Sequence, residues 1–172
     1  MPASPNFIHL RLHSEYSIVD GIVRINAVVE QAVSDSMPAL ALTDLSNLFG
    51  MVKFYQAARD HGIKPIIGCD VWITNEADRD KPSRLLLLCQ SHTGYLLLCR
   101  LLSRAYRENQ HRGRPEIRKS WLNKTDSGSD GLIALSGAHI GDIGLALAQN
   151  NPIQAEVLAL DWAQLLPERF YI

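Results

Sequence analysis

Ile8, Leu10 and Leu12 alternate with His9, Arg11 and His13, a period of two that predicts a strand with one apolar face. Its other face carries two imidazoles and a guanidinium. Ser14 to Gly21 then leave the strand as a loop, with Asp20 beside the glycine. A polar strand end followed by a loop carboxylate is where β/α enzymes keep their chemistry. Next, Ile25, Val28, Val29, Ala32 and Val33 recur at helical spacing, predicting an amphipathic helix from Arg24 to Ser36. Met37-Pro38 ends it, and Ala39 to Thr43 read as a short buried strand. Asp44 to Asn47 form a polar loop placed to cap a helix from Phe49 to Asp60, closed by Gly62.

The same alternation continues. Lys64 to Ile73 and Leu85 to Leu88 read as strands on either side of a charged loop, Asn75 to Ser83. Thr93 to Arg107 reads as a helix with Thr93 as its N-cap. Asn109 to Gly128 is polar and carries Arg112, Arg114, Arg118 and Lys119, which read as a solvated basic loop within reach of DNA phosphates. Leu132 to Leu135 is a strand, Asp142 to Gln149 and Pro152 to Leu165 are helices, and a last strand starts at Phe170. Strand followed by helix, over and over, argues for an α/β fold built of β/α units with a parallel sheet or barrel. Arg169-Phe170-Tyr171-Ile172 read as the opening of a strand, so the expectation is a fragment of a longer protein with an open sheet edge.

Composition narrows the function classes. A chain of 172 residues with 47% hydrophobic content suits one packed domain, and a net charge of −1 supplies no global field toward nucleic acid or anionic membranes. Cys69, Cys89 and Cys99 are too few for a disulfide framework and contain no Cys-x-x-Cys pair. The first six residues lack the basic and apolar regions of a signal peptide, and the leucine run from Leu85 is too short to cross a bilayer. The reading is a reduced, cytoplasmic protein with no membrane partner.

Four strand ends carry polar signatures: His9 to His13, Thr43-Asp44, Gly68-Cys69-Asp70 and Ser136-Gly137. Phe7-x-His9-Leu10-x-x-His13-Ser14-Glu15-Tyr16-Ser17-x-x-Asp20-Gly21, then Ala41-Leu42-Thr43-Asp44 with Asn47-Leu48-Phe49-Gly50, Ile63-Lys64-Pro65-Ile66-Ile67-Gly68-Cys69, Thr93-Gly94-Tyr95 and Leu132-Ile133-Ala134-Leu135-Ser136-Gly137 follow in order. This ordered set resembles the N-terminal PHP (polymerase and histidinol phosphatase) domain of the alpha subunits of bacterial DNA polymerase III. The resemblance implies a distorted β/α barrel, incomplete in residues 1–172, with the rest of the barrel and the polymerase domains lying elsewhere. Intact relatives bind metal ions at the strand ends and hydrolyse phosphoesters.

Carried over residue by residue, the metal-binding pattern is broken. The first His of His-x-His is Arg11, with His13 kept, and the family aspartate is Asp20. Thr-Asp-His reads Thr43-Asp44-Leu45, the Gly-Cys-Glu acid is Asp70, the strand histidine is Arg84, and the cysteine after Ser-Gly is Ala138. Arginine has no lone pair to give and stays protonated, while leucine and alanine offer no donor. The set Arg11, His13, Asp20, Leu45, Asp70, Arg84 and Ala138 therefore reads as a vestigial site with no metal; His13, Asp20 and Asp70 are the ligands that remain for one. Arg11 is expected to take the place of metal charge and to meet Asp20, with Asp70 and Asp44 as further carboxylates. A plain helix-capping role for Asp44, a structural role for His13, and solvated positions for His61, His92 and His111 are the simpler readings; His139 stands near the lost cysteine.

By resemblance the intact chain is a DNA-directed DNA polymerase, a nucleotidyltransferase using Mg and touching DNA through polymerase domains outside this stretch. The resemblance further implies that this stretch has no catalysis or cofactor of its own and docks the proofreading exonuclease subunit, alongside the other polymerase III holoenzyme subunits. The alternative is a residual metal-dependent phosphoesterase or pyrophosphatase.

Overall fold

The apolar positions that repeat at helical and strand spacing close into two units, Met1–Asp70 and Val71–Ile172. The computed structural model describes residues 7–123 and 128–172. The N-terminus read as lacking a leader, and residues 124–127 of the polar segment, lie outside the described residues.

In the first unit, helix α1 (Ile25–Ser34) precedes strand β1 (Ala39–Leu42), and helix α2 (Met51–Asp60) precedes strand β2 (Lys64–Ile73), whose residues up to Asp70 belong here. β1 and β2 pair in parallel, Ala39 opposite Lys64 and Leu42 opposite Ile67. Ile25, Val29 and Ala32 of α1 meet Phe54 and Ala58 of α2 and Leu40 and Leu42 of β1 in one buried core. Fully burying a side chain such as Ile25 or Phe54 stabilises by about 1.5–3 kcal/mol. That core fixes where the ends of β1 and β2 point.

The expected first strand is not regular. Ala41 N–H donates to His9 O and Thr43 N–H to Leu12 O, so three residues advance on one side for two on the other. One extra residue breaks the ladder as a bulge does. It also breaks the alternation, and Leu10 is left exposed.

In the second unit, β3 (Ser83–Cys89) leads to helix α3 (His92–Glu108), then β4 (Gln110–His111), β5 (Arg114–Ile117) and a short 3-10 turn at Lys119–Leu122. β6 (Leu132–Leu135), helices α4 (Asp142–Ala148) and α5 (Pro152–Leu165), and β7 (Phe170–Tyr171) complete it. The strand order is β4-β5-β2-β3-β6-β7. β2/β5 and β6/β7 are parallel, whereas β3/β6 and β4/β5 are antiparallel. The all-parallel expectation is thus corrected to a mixed sheet.

Part of the reason is a hairpin that the polar composition hides. Arg112 and Gly113 have φ of 49° and 76°, the two positive angles of a two-residue hairpin turn. The stretch read as a solvated loop is therefore two strands. The cap of α3 is also corrected: Ser91, not Thr93, accepts from Gly94 N–H at 3.2 Å. Trp162, fully buried on α5, stacks on Phe170 of β7 and donates its indole N–H to Asp142 of α4 at 2.8 Å. No helix among the described residues is long and apolar enough to cross a membrane.

Candidate functional site

The end of β2 places Asp70 beside the irregular first segment, all within the first unit. Asp70 N–H is shared between Thr43 O and Asp44 O, and its own carbonyl accepts from Ser46 N–H at 2.8 Å, so its backbone is fixed. The side chain is 2% exposed. Its Oδ2 receives Arg11 Nε at 2.8 Å and Nη2 at 2.6 Å, and lies 3.1 Å from His13 Nε2. Three nitrogens thus converge on one carboxylate oxygen.

His13 Nδ1 lies 3.0 Å from Asp20 Oδ1, so the imidazole bridges two carboxylates. The loop from Ser14 to Val23 makes this possible by returning on itself. Ser14 and Val23 form a β-bridge, and Gly21 N–H donates to Ser17 O at 2.7 Å. A Cβ on Gly21 would sit 1.9 Å from Ser14 O, so only glycine passes there. Ser17 Oγ donates to Asp20 Oδ1 at 2.7 Å and accepts from Leu45 N–H at 3.0 Å, tying the loop to the end of β1.

Asp44, 1% exposed, does not cap α2. It accepts from Ser14 N–H at 2.6 Å and Ser14 Oγ at 2.9 Å, while the N-cap of α2 is Gly50 with no side-chain bond. Burial pushes the Asp44 carboxyl above its ordinary range, opposed by the bonds from Ser14. Cys69 is buried and its thiol is pushed well up by burial, with Sγ against Asp44 O at 3.1 Å. It is a structural thiol.

The structure brings Arg11, His13, Asp20 and Asp70 together and corrects their pairing. Arg11 meets Asp70, not Asp20, and Asp44 belongs to Ser14. Leu45 joins through its backbone, which bridges Asp70. Arg84 and Ala138 lie in the second unit. Arg84, on β3 and 6% exposed, lies over the Trp72 ring at 4.3 Å. Ala138 is exposed, and so is His139. Sequence reasoning missed Ser14 and Ser17, ordinary loop serines until the loop closes, and Trp72, whose aromatic ring between two basic strands was the available signal.

The basic stretch is also corrected from solvated to paired. Glu116, fully buried, receives Arg79 at 3.1 Å and Arg114 at 3.3 Å, and Asn109 binds its backbone carbonyl at 2.9 Å. Arg112 and His111 both meet Asp80, Arg118 meets Glu76, and Lys119 meets Asp161. Of the other histidines read as solvated, His61 is exposed but bonds Ala57 O, and His92 is exposed at the start of α3.

Among the described residues no group of three or more His, Cys, Asp or Glu is disposed to hold a metal ion. Each ring nitrogen of His13 already lies within hydrogen-bonding distance of a carboxylate, Asp20 on one side and Asp70 on the other. Comparison with known proteins gives the lineage of this arrangement. The PHP domain family matches residues 9–172. The chain belongs to that family. It is 46% identical over its whole length to the DNA polymerase III subunit alpha of Pseudomonas fluorescens, covering 14% of that protein. It is 37% identical over 99% of its length to the DNA polymerase III subunit alpha of Escherichia coli K12, again covering 14%. The PHP chain thus spans about a seventh of the curated relatives it matches. Among solved structures, a putative metal-dependent phosphoesterase from Bifidobacterium adolescentis aligns with 94% of this chain and 85% of its own, at TM-score 0.50 and 12% identity. That likeness shows the fold, the distorted barrel type expected from the sequence.

Proposed function

We propose that this PHP domain is the N-terminal module of a bacterial replicative DNA polymerase subunit, in the cytoplasm, and that its metal site has been replaced by an internal ion-pair cluster. The observation that carries this is Asp70 Oδ2 receiving both Arg11 and His13. The oxygen a metal would use is occupied by a guanidinium, which neutralises the carboxylate without an ion. The donor set does not fit a metal, and no catalytic step is assigned to it.

In this reading the domain is a scaffold. It holds the proofreading exonuclease subunit and supports a polymerase core that uses Mg and binds DNA through other domains. Purified chain dialysed against Mn²⁺ or Zn²⁺ should retain well under one ion per molecule and hydrolyse no phosphomonoester above an Asp70→Asn control. One tightly held ion with Asp70-dependent turnover would replace this reading with a working phosphoesterase. For the docking role, a polymerase subunit lacking residues 1–172 should lose its affinity for the exonuclease; unchanged affinity would refute it.

A further inference from the structure

We infer that the outward face of α3 is a phosphate-binding groove that takes the backbone of single-stranded DNA. Along α3, Leu96, Arg100, Ser103, Arg104 and Arg107 recur at helical spacing and share one face. They line an open groove of about 500 Å³ together with Cys99 and Glu108. Its single acid is already engaged, since Glu108 Oε2 receives Arg104 Nε at 3.1 Å. Arg104 is in turn laid over the Trp121 ring at 4.1 Å, which fixes its position.

Arg100 and Arg107 are different. Both are exposed, and among the described residues neither side chain has an ion pair or hydrogen bond. Most other arginines of the chain are paired with a carboxylate, including Arg11, Arg24, Arg79, Arg112, Arg114, Arg118 and Arg169. Arg107 follows Arg100 by seven positions on the helix, about 10 Å along the axis at roughly 1.5 Å per residue. Two guanidinium forks set in a row on a rigid helix match a ligand that repeats its negative charge along a line. Guanidinium is also the cation that binds phosphate oxygens two at a time. Leu96, 45% exposed, gives the groove an apolar end for an unstacked base. A single strand fits these features, and choosing DNA rests on the replication reading above.

The test is fluorescence anisotropy of a labelled oligo(dT) with the whole 172-residue chain, with the salt varied from about 50 to about 200 mM. Two phosphate contacts predict a slope of log K against log salt of about −1.4 for a single strand. Arg100→Ala/Arg107→Ala should weaken binding about tenfold at the low-salt end and flatten the slope toward zero, with an unchanged circular dichroism spectrum. Arg59→Ala, an exposed arginine on α2, should change nothing. Absence of saturable binding at low salt, or equal binding by the double variant, would overturn the inference. So would polyglutamate binding as tightly as the oligonucleotide, which would assign the groove to an acidic protein segment. Each of these failures leaves the metal and exonuclease tests above untouched.

Discussion

Two carboxylates, Asp70 in the first unit and Glu116 in the second, are buried to nearly the same degree and neutralised in different ways. Asp70 takes a guanidinium and an imidazole on one oxygen. Glu116 divides two guanidiniums between its two oxygens, Arg79 on Oε2 and Arg114 on Oε1. Around Glu116, Asn109 also binds Thr74 Oγ1 at 2.8 Å and accepts from Arg79, so the network closes on itself. Around Asp70 the arginine is 43% exposed and reaches in from solvent. The second arrangement is interior structure. The first is a buried carboxylate reached from solvent by a half-exposed cation. A third buried carboxylate, Asp44, has only neutral donors from Ser14, and there burial wins over hydrogen bonding.

The largest difference should appear on removing Glu116. Glu116→Ala leaves two arginines facing each other around a small void. Breaking a buried charge pair costs about 3–5 kcal/mol. Because Arg79 and Arg114 stay 33% and 27% exposed and can turn toward water, the lower end of that range is expected. Denaturant unfolding of the variant measures it. A loss no larger than that of an exposed-site control would show that Glu116 is carried by its strand alone.

Arg11→Ala should cost less, about 1–2 kcal/mol, the size of charge-assisted hydrogen bonds discounted for an exposed partner. The exposure of Arg11 limits the loss, and His13 still lies against Asp70 after the change. Arg11→Lys should restore part of the loss, since an ammonium can reach one oxygen but lacks the fork. If Arg11→Ala matched Glu116→Ala, the distinction between a half-exposed pair and an interior network would fail.

What the sequence revealed follows from how local each feature is. Helices and strands set by apolar spacing, such as α1, β2, β6 and α5, were legible to within a residue or two. The identity of the cluster was legible too, because motif register places Arg11, His13, Asp20 and Asp70. Which acid Arg11 meets was not. That choice depends on the extra residue between His9 and Leu12 and on the loop fold-back at Gly21, neither of which shows as periodicity. The Glu116 network was missed for a related reason. A run of arginines between polar residues reads as solvated until the turn at Arg112-Gly113 pairs β5 with β4 and with β2 beside Trp72.

The smallest effect, and the finest test of the comparison, lies at Asp44. An asparagine is close to isosteric with it: its carbonyl can accept from Ser14 N–H, and its amide can donate to Ser14 Oγ. Burying a charge without a counter-charge is unfavourable, so Asp44→Asn should lie within about 1 kcal/mol of wild type at neutral pH, unlike changes at the paired acids. Its signature is in the pH dependence. The ordinary value is 3.8 and burial raises it, so the folded protein binds the Asp44 proton more tightly than the unfolded chain. Stability from that proton is fully present below 3.8 and is lost as pH rises through the raised folded value. Wild type should therefore gain on Asp44→Asn as acid is added through the window above 3.8. Unfolding midpoints of the two proteins across that window measure the difference. A wild type that instead loses ground to Asp44→Asn as pH falls would mean that the bonds from Ser14 outweigh burial and hold Asp44 as a stabilised anion.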